Sequence, residues 1–239
     1  MSEGPFAGQL ALVTGASRGI GAATAVALAA TGAHVVMTGR DVKALEAVEQ
    51  QIFDADGSAT IAPVDLSETD GVARLAAAVA ERWGKLDVLV HCAAVLQQAC
   101  AVGDIDQPGF SKALTVNVLA SQALIAQFDK LLRRSDDARV VLMTSGAAKA
   151  AMPYWGSYAA TKAAQEMLFE CYALEVRNIS KVRVALVDPG AVRTAMRAKA
   201  FPGEDPQSVK PPEVVAKRLI SLLGEQFASP HRESVNQIS

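Results

Sequence analysis

Short runs of unbroken apolar residues alternate with longer stretches of helical spacing along this chain. Leu10 to Val13, Val35 to Thr38, Ile61 to Val64, Leu86 to Val90, Val140 to Thr144 and Val182 to Val187 read as six strands. Successive rather than alternate positions are apolar in them, as in strands covered on both faces. Between them lie helical segments: Ile20 to Thr31 closed by Gly32, Val42 to Phe53, Val72 to Trp83 closed by Gly84, a long helix from Gly109 to Arg133, and another from about Ser157 to Asn178. Regular strand–helix alternation predicts an α/β fold, a doubly wound (Rossmann) parallel sheet with helices on both faces. No repeat, low-complexity segment or linker divides the chain, so residues 1–239 read as one domain.

Composition narrows the function classes. Hydrophobic residues make up 51% of the 239, much of it alanine, which suits close packing of helix on sheet. With 23 basic and 25 acidic residues the net charge is −2, which gives no electrostatic reason to expect nucleic acid or an anionic membrane as partner. No apolar run approaches the roughly 20 residues needed to span a bilayer, and Met1 to Gln9 lacks the basic and apolar regions of a signal peptide. Cys92, Cys100 and Cys171, like His34, His91 and His231, are scattered without metal-ligand spacing. The expectation is a cytoplasmic protein without a metal.

Two clusters carry chemistry. Gly15, Gly19 and Gly21 sit where the first strand turns into the first helix, where glycine lets backbone approach a pyrophosphate at a helix N-terminus. Arg18 lies inside that turn, and the second strand ends in Gly39 and Arg40, with no carboxylate at Gly39 to hold a ribose 2′-hydroxyl. Two guanidinium groups there favour a 2′-phosphate, hence NADP over NAD. Asp41, one residue late, reads as the N-cap of the next helix. The second cluster is Tyr158 and Lys162, which share a helix face at i and i+4, with Ser145 at the tip of the fifth strand. A nearby ammonium is expected to lower the phenol's pKa toward the neutral range, fitting Tyr158 for acid–base work.

Thr14 to Gly21, Asn117, Ser145 with Tyr158 and Lys162, and Pro189-Gly190-x-Val192-x-Thr194 together resemble the short-chain dehydrogenase/reductase family. Arg193 to Ala198, Phe201-Pro202, Glu204 to Gln207 and Trp155-Gly156-x-Tyr158 further resemble its bacterial YciK-type branch. The resemblance implies a catalytic tetrad of Asn117, Ser145, Tyr158 and Lys162, with Asn117 holding a water in the proton path. It places the cofactor against Gly15, Ser17, Arg18, Gly19, Ile20, Gly21, Arg40, Asp65, Leu66, Ala93, Tyr158, Lys162, Pro189, Gly190, Val192 and Thr194, with Asp65 on the adenine. Two departures stand out: His91-Cys92-Ala93-Ala94 where the family carries Asn-Asn-Ala-Gly, and a chain end of Val235 to Ser239 without the usual Asp-Gly-Gly.

The implied reaction is reversible hydride transfer between NADP(H) and a carbonyl or alcohol, with Tyr158 as general acid/base. The alternatives are an NADP-binding scaffold or sensor with little catalysis, and an epimerase or dehydratase on the same fold. Arg193 to Pro212 reads as a substrate lid. Met152, Tyr154, Trp155, Met196 and Phe201 point to a mainly apolar substrate, while Arg193 and Arg197 leave room for an anionic group. Apolar residues on several sides of the two long helices (Met167, Leu168 and Phe169; Leu114, Val116, Val118 and Leu119) imply a homodimer or homotetramer joined through the helices that carry Asn117 and Tyr158.

Overall fold

A computed structural model describes residues 4–235. The readings made on Met1 to Glu3 and on Asn236 to Ser239 fall outside the described residues. Seven strands, β1 (Leu10–Thr14), β2 (His34–Thr38), β3 (Ser58–Ile61), β4 (Val88–His91), β5 (Arg139–Met143), β6 (Arg183–Asp188) and β7 (His231–Ser234), form one sheet. Its order is β3-β2-β1-β4-β5-β6-β7, and every pairing is parallel. The helices are α1 (Gly19–Ala30), α2 (Val42–Asp54), α3 (Gly71–Trp83), α4 (Gln107–Ala113), α5 (Ala120–Leu132), α6 (Gly156–Val176), α7 (Ala195–Ala200) and α8 (Pro212–Gly224). A π-helical turn, Leu114–Leu119, joins α4 to α5, so the long helix is continuous but locally wider and underwound at Asn117.

Strand neighbours point to opposite faces. Val13 and Met37 pack with Leu28 of α1, Leu45 of α2 and Leu219 of α8. Leu12 and Val36 pack with Val79 of α3, Phe128 of α5 and Phe169 of α6. Both faces are therefore covered, which is why the strands read as continuous apolar runs. Because β1 pairs with β2 on one side and β4 on the other, the chain reverses its winding there and leaves a crevice beyond the strands' carboxyl ends.

The structure departs from the sequence reading in three places. β3 starts and ends three residues before the expected Ile61 to Val64. Pro63 has no N–H to give a ladder, although Ala62 and Val64 still donate to Met37 and Gly39 and so bring Asp65 alongside the end of β2. β7, with the polar sequence His-Arg-Glu-Ser, is an edge strand that needs no apolar run. α8 begins on Pro212, which the sequence reading takes as the end of the lid segment. At the first helical position its missing N–H has no partner to lose.

Candidate active site

Two adjoining cavities open over the carboxyl ends of the strands. The larger, about 750 Å³, is lined by Gly15, Ser17, Arg18, Gly19, Ile20, Gly21, Arg40, Asp65, Leu66, Ala93 and Thr194, all expected there. The smaller, about 130 Å³, is lined by Ser145, Trp155, Tyr158, Asp188, Pro189, Gly190, Val192, Met196 and Phe201. Ile20, Leu96, Thr194 and Met196 border both. Pro189, Gly190 and Val192 thus face the smaller cavity rather than the larger, while Asn117 and Lys162 lie behind the walls of both.

The glycine turn is built for close approach. Gly15 has φ +67°, and a Cβ on it would sit 2.9 Å from the Ala93 backbone; one on Gly21 would sit 2.2 Å from the Gly15 carbonyl oxygen. Arg18 and Arg40 flank the outer end of the cavity. Arg18 Nη2 meets Asp41 Oδ2 at 3.2 Å, and Asp41 Oδ1 caps α2 by accepting from the Ala44 N–H, as expected of an N-cap.

Behind the cavity floor runs a buried polar network. Thr14 Oγ1 accepts from the Ala93 N–H at 3.2 Å and lies 2.7 Å from His91 Nδ1; His91 Nε2 lies 2.9 Å from Ser121 Oγ. Ser121 Oγ donates to the Asn117 carbonyl at 2.6 Å, so it accepts from His91 Nε2–H, and Nδ1 in turn accepts from Thr14. Burial first, then the Lys162 charge, holds the His91 pKa at about 3. His91 is therefore a neutral structural tie and not a proton carrier, as its place at a strand end implies.

Asn117 is fully buried. Its Oδ1 accepts from the Val95 N–H at 2.8 Å, and its Nδ2 donates to the Val95 carbonyl at 3.0 Å and to Thr161 Oγ1 at 2.9 Å. Its amide and carbonyl are all engaged within the protein, so the geometry makes it a brace between the loop after β4 and α6. Neither Val95 nor Thr161 stands out in the sequence.

Tyr158 is 8% exposed and shares the wall of the smaller cavity with Ser145. Lys162 Nζ lies 5.9 Å from the Tyr158 ring centroid and donates to the Met143 carbonyl at 2.9 Å. The expected fall in the phenol pKa does not occur. Burial pushes it up to about 12; the Ser145 hydroxyl opposes the rise and Asp188 adds to it. Burial outweighs the cation, because Lys162 directs an N–H at the Met143 carbonyl and is itself brought down to about 8 by burial. Cys92 stands near that ammonium, and its thiol is pushed up to about 12 by burial, with Lys162 opposing.

The segment after β6 closes over both cavities. Val192 and Lys210 pair at its base, and the Arg193 N–H donates to the Lys210 carbonyl at 2.8 Å. Thr194 caps α7 by accepting from the Arg197 N–H and lies against Gly19. Arg197 holds Glu204 with two bonds of 2.7 and 2.5 Å and lies 3.6 Å above the Phe201 ring. Phe201 stacks on Trp155 at 5.6 Å, and Trp155 meets Tyr158 edge-on at 5.9 Å. Met152 and Tyr154 are exposed and do not line the smaller cavity.

The short chain dehydrogenase profile matches residues 9–205. This chain belongs to that family. It is similar to the uncharacterized oxidoreductase YciK of Escherichia coli K12, 33% identical over 220 residues that cover 91% of this chain and 86% of YciK. Among solved structures it is similar to a short chain dehydrogenase from Shigella flexneri complexed with NADP, with a TM-score of 0.93 and 29% identity over 98% of this chain and 100% of that one. It is also similar to a short chain dehydrogenase from Escherichia coli CFT073 complexed with NADPH, with a TM-score of 0.90 and 30% identity over 97% and 99% of the two chains. Membership agrees with the resemblance carried by the glycine turn and the Ser145, Tyr158 and Lys162 set. No described helix is long and apolar enough to cross a membrane, and no group of metal-ligating side chains occurs among the described residues.

Proposed function

We propose that this protein is an NADP(H)-dependent oxidoreductase that reversibly reduces a carbonyl compound, with Tyr158 as general acid/base. One observation carries the reading: Ser145 and Tyr158 face a small cavity that opens directly into a larger one floored by the glycine turn. The larger cavity fits a dinucleotide. Its volume lies within the ~300–1,000 Å³ range of ligand cavities, and Gly15 and Gly21, where a side chain would strike the Ala93 and Gly15 backbone, let the turn pack tightly along the cavity wall. Arg18 and Arg40 would hold the 2′-phosphate and Asp65 the adenine; the NADP and NADPH complexes of the two related structures support the choice of cofactor.

When bound, NADPH supplies the hydride for the carbonyl carbon. The protein's own part is to hold and protonate the carbonyl oxygen. Ser145 Oγ–H donates to that oxygen, and Tyr158 gives it the proton. Lys162 fixes the Met143 end of β5 and places a positive charge behind the phenol. Asn117 and the His91 network keep the loop after β4 in register with α6. A panel of aldehydes and ketones, with NADPH consumption followed by absorbance, is the direct test. Carbonyl-dependent consumption is expected; binding of NADPH without any turnover would favour the scaffold reading.

The segment from Arg193 to Pro212 acts in this reading as a lid. Hydrogen exchange at Thr194 to Ala200 is expected to be fast in the free protein and slowed by NADP. Slow exchange that cofactor leaves unchanged would make this segment fixed structure. The same reading includes a homo-oligomer built on α5 and α6, which expose Leu119 beside α5 and Met167 and Leu174 on α6. Light scattering at micromolar concentration is expected to give a dimer or tetramer mass, and a monomer mass would refute that assembly.

A further inference from the structure

We infer that the smaller cavity selects uncharged, apolar carbonyl compounds and turns away carboxylated ones, with Asp188 as the residue that enforces the choice. The inference rests on the carbonyl-reducing reading and names its substrate class. Three observations carry it.

First, the cavity's cation is already paired. Arg197 is the basic residue in the wall; its Nε and Nη2 donate to the two carboxylate oxygens of Glu204, and its face covers Phe201. Arg193, the other residue that could have met an anion, donates to Gln207 at 2.7 Å and does not line the cavity. Second, the cavity's carboxylate is aimed at the chemistry. Asp188 ends β6, and its Oδ1 accepts from the Gly190 N–H at 2.9 Å. A Cβ on Gly146, the residue after Ser145, would lie 3.4 Å from its Oδ2. The charge is near enough to the phenol to oppose its ionisation. Lys210, whose charged form Asp188 favours, sits at the base of the lid outside the cavity wall. Third, apart from Thr144, Thr194 and the Ser145–Tyr158 pair, the remaining walls are apolar, Leu96, Trp155, Met196 and Phe201 among them, with the Trp155–Phe201 stack closing one side. A substrate carboxylate would enter a partly desolvated space beside a like charge, with the wall's arginine already paired to Glu204, whereas a neutral aryl or alkyl group meets mainly hydrophobic surface.

The test uses a matched pair, methyl 4-formylbenzoate and 4-formylbenzoate, at neutral pH with NADPH. The ester is expected to show at least about tenfold higher kcat/KM, because two like charges sharing a partly buried site repel by more than a factor of ten. In Asp188→Asn, which keeps the shape of the side chain, the ester-to-acid ratio should fall well below the parent's. That variant cancels any intrinsic difference in reactivity between the two aldehydes. Calorimetric binding of both compounds to NADP-loaded protein should give the same ratio without turnover. A retained binding ratio with no reduction of either compound would support the charge selection and defeat the proposed reaction. Equal use and equal binding of the two, or a ratio unmoved in Asp188→Asn, would overturn the selection and leave the reaction standing.

Discussion

Tyr158→Phe is expected to lower kcat by about 10²–10⁴-fold, the cost typical of losing a general acid, while NADPH affinity stays within a few-fold of the parent. The phenol lines only the smaller cavity, so its hydroxyl is not part of the larger cavity's wall. The substitution removes one oxygen from a site where the ring already packs edge-on against Trp155, so the fold should be unaffected. The direction of the reaction should depend on pH. With its pKa pushed up to about 12 by burial, the phenol keeps its proton across the neutral range and is ready to give it to a carbonyl oxygen. Alcohol oxidation needs the phenolate and should rise with pH. Lys162, brought down to about 8, loses its charge on the way up and should limit that rise. Steady-state turnover in both directions, with fluorescence titration of NADPH, measures each part. Turnover in the phenylalanine variant equal to the parent's would assign proton transfer to another group.

The sheet was legible because its strands are covered on both faces, so burial is written directly into runs such as Leu10 to Val13 and Val140 to Thr144. The elements that escaped are those whose burial is partial. β7 is polar because it lies on an edge, and α8 hides behind a proline that serves as its first residue. In the site, residues fixed by local spacing could be read: the glycine turn, and Tyr158 with Lys162 one turn later on α6. Residues brought in from elsewhere in the chain could not. Lys199 of α7 lines the larger cavity only because the segment after β6 folds back over Gly19. Asp188 merely precedes Pro189-Gly190 in the sequence, and only the pairing of β6 with β5 places it near Ser145 and Gly146. The phenol's pKa was misjudged for the same reason. Spacing puts Lys162 on the right helix face, but it does not show that burial dominates or that the ammonium is committed to the Met143 carbonyl.

NADPH should bind at least about tenfold more tightly than NADH, and Arg40→Ala should erase most of that difference. A charge-assisted hydrogen bond contributes roughly 1.5–3 kcal/mol, and 1.4 kcal/mol is a factor of ten. Arg40 lines the larger cavity at the end of β2, next to Gly39, where a carboxylate would be needed to favour NADH. Arg18 lies across the same opening, with one of its five donors on Asp41. Both partners of that pair are well exposed, so letting Arg18 turn toward a phosphate costs at most ~1 kcal/mol. Arg18→Ala should therefore weaken NADPH as well, with little effect on NADH, and the preference should shrink as salt rises because both guanidinium groups are in solvent reach. Fluorescence titrations of the two cofactors against the parent and the two variants provide the measurement. Equal affinities in the parent, or an Arg40→Ala variant that loses NADH and NADPH binding alike, would mean that the 2′-phosphate is not what these residues read.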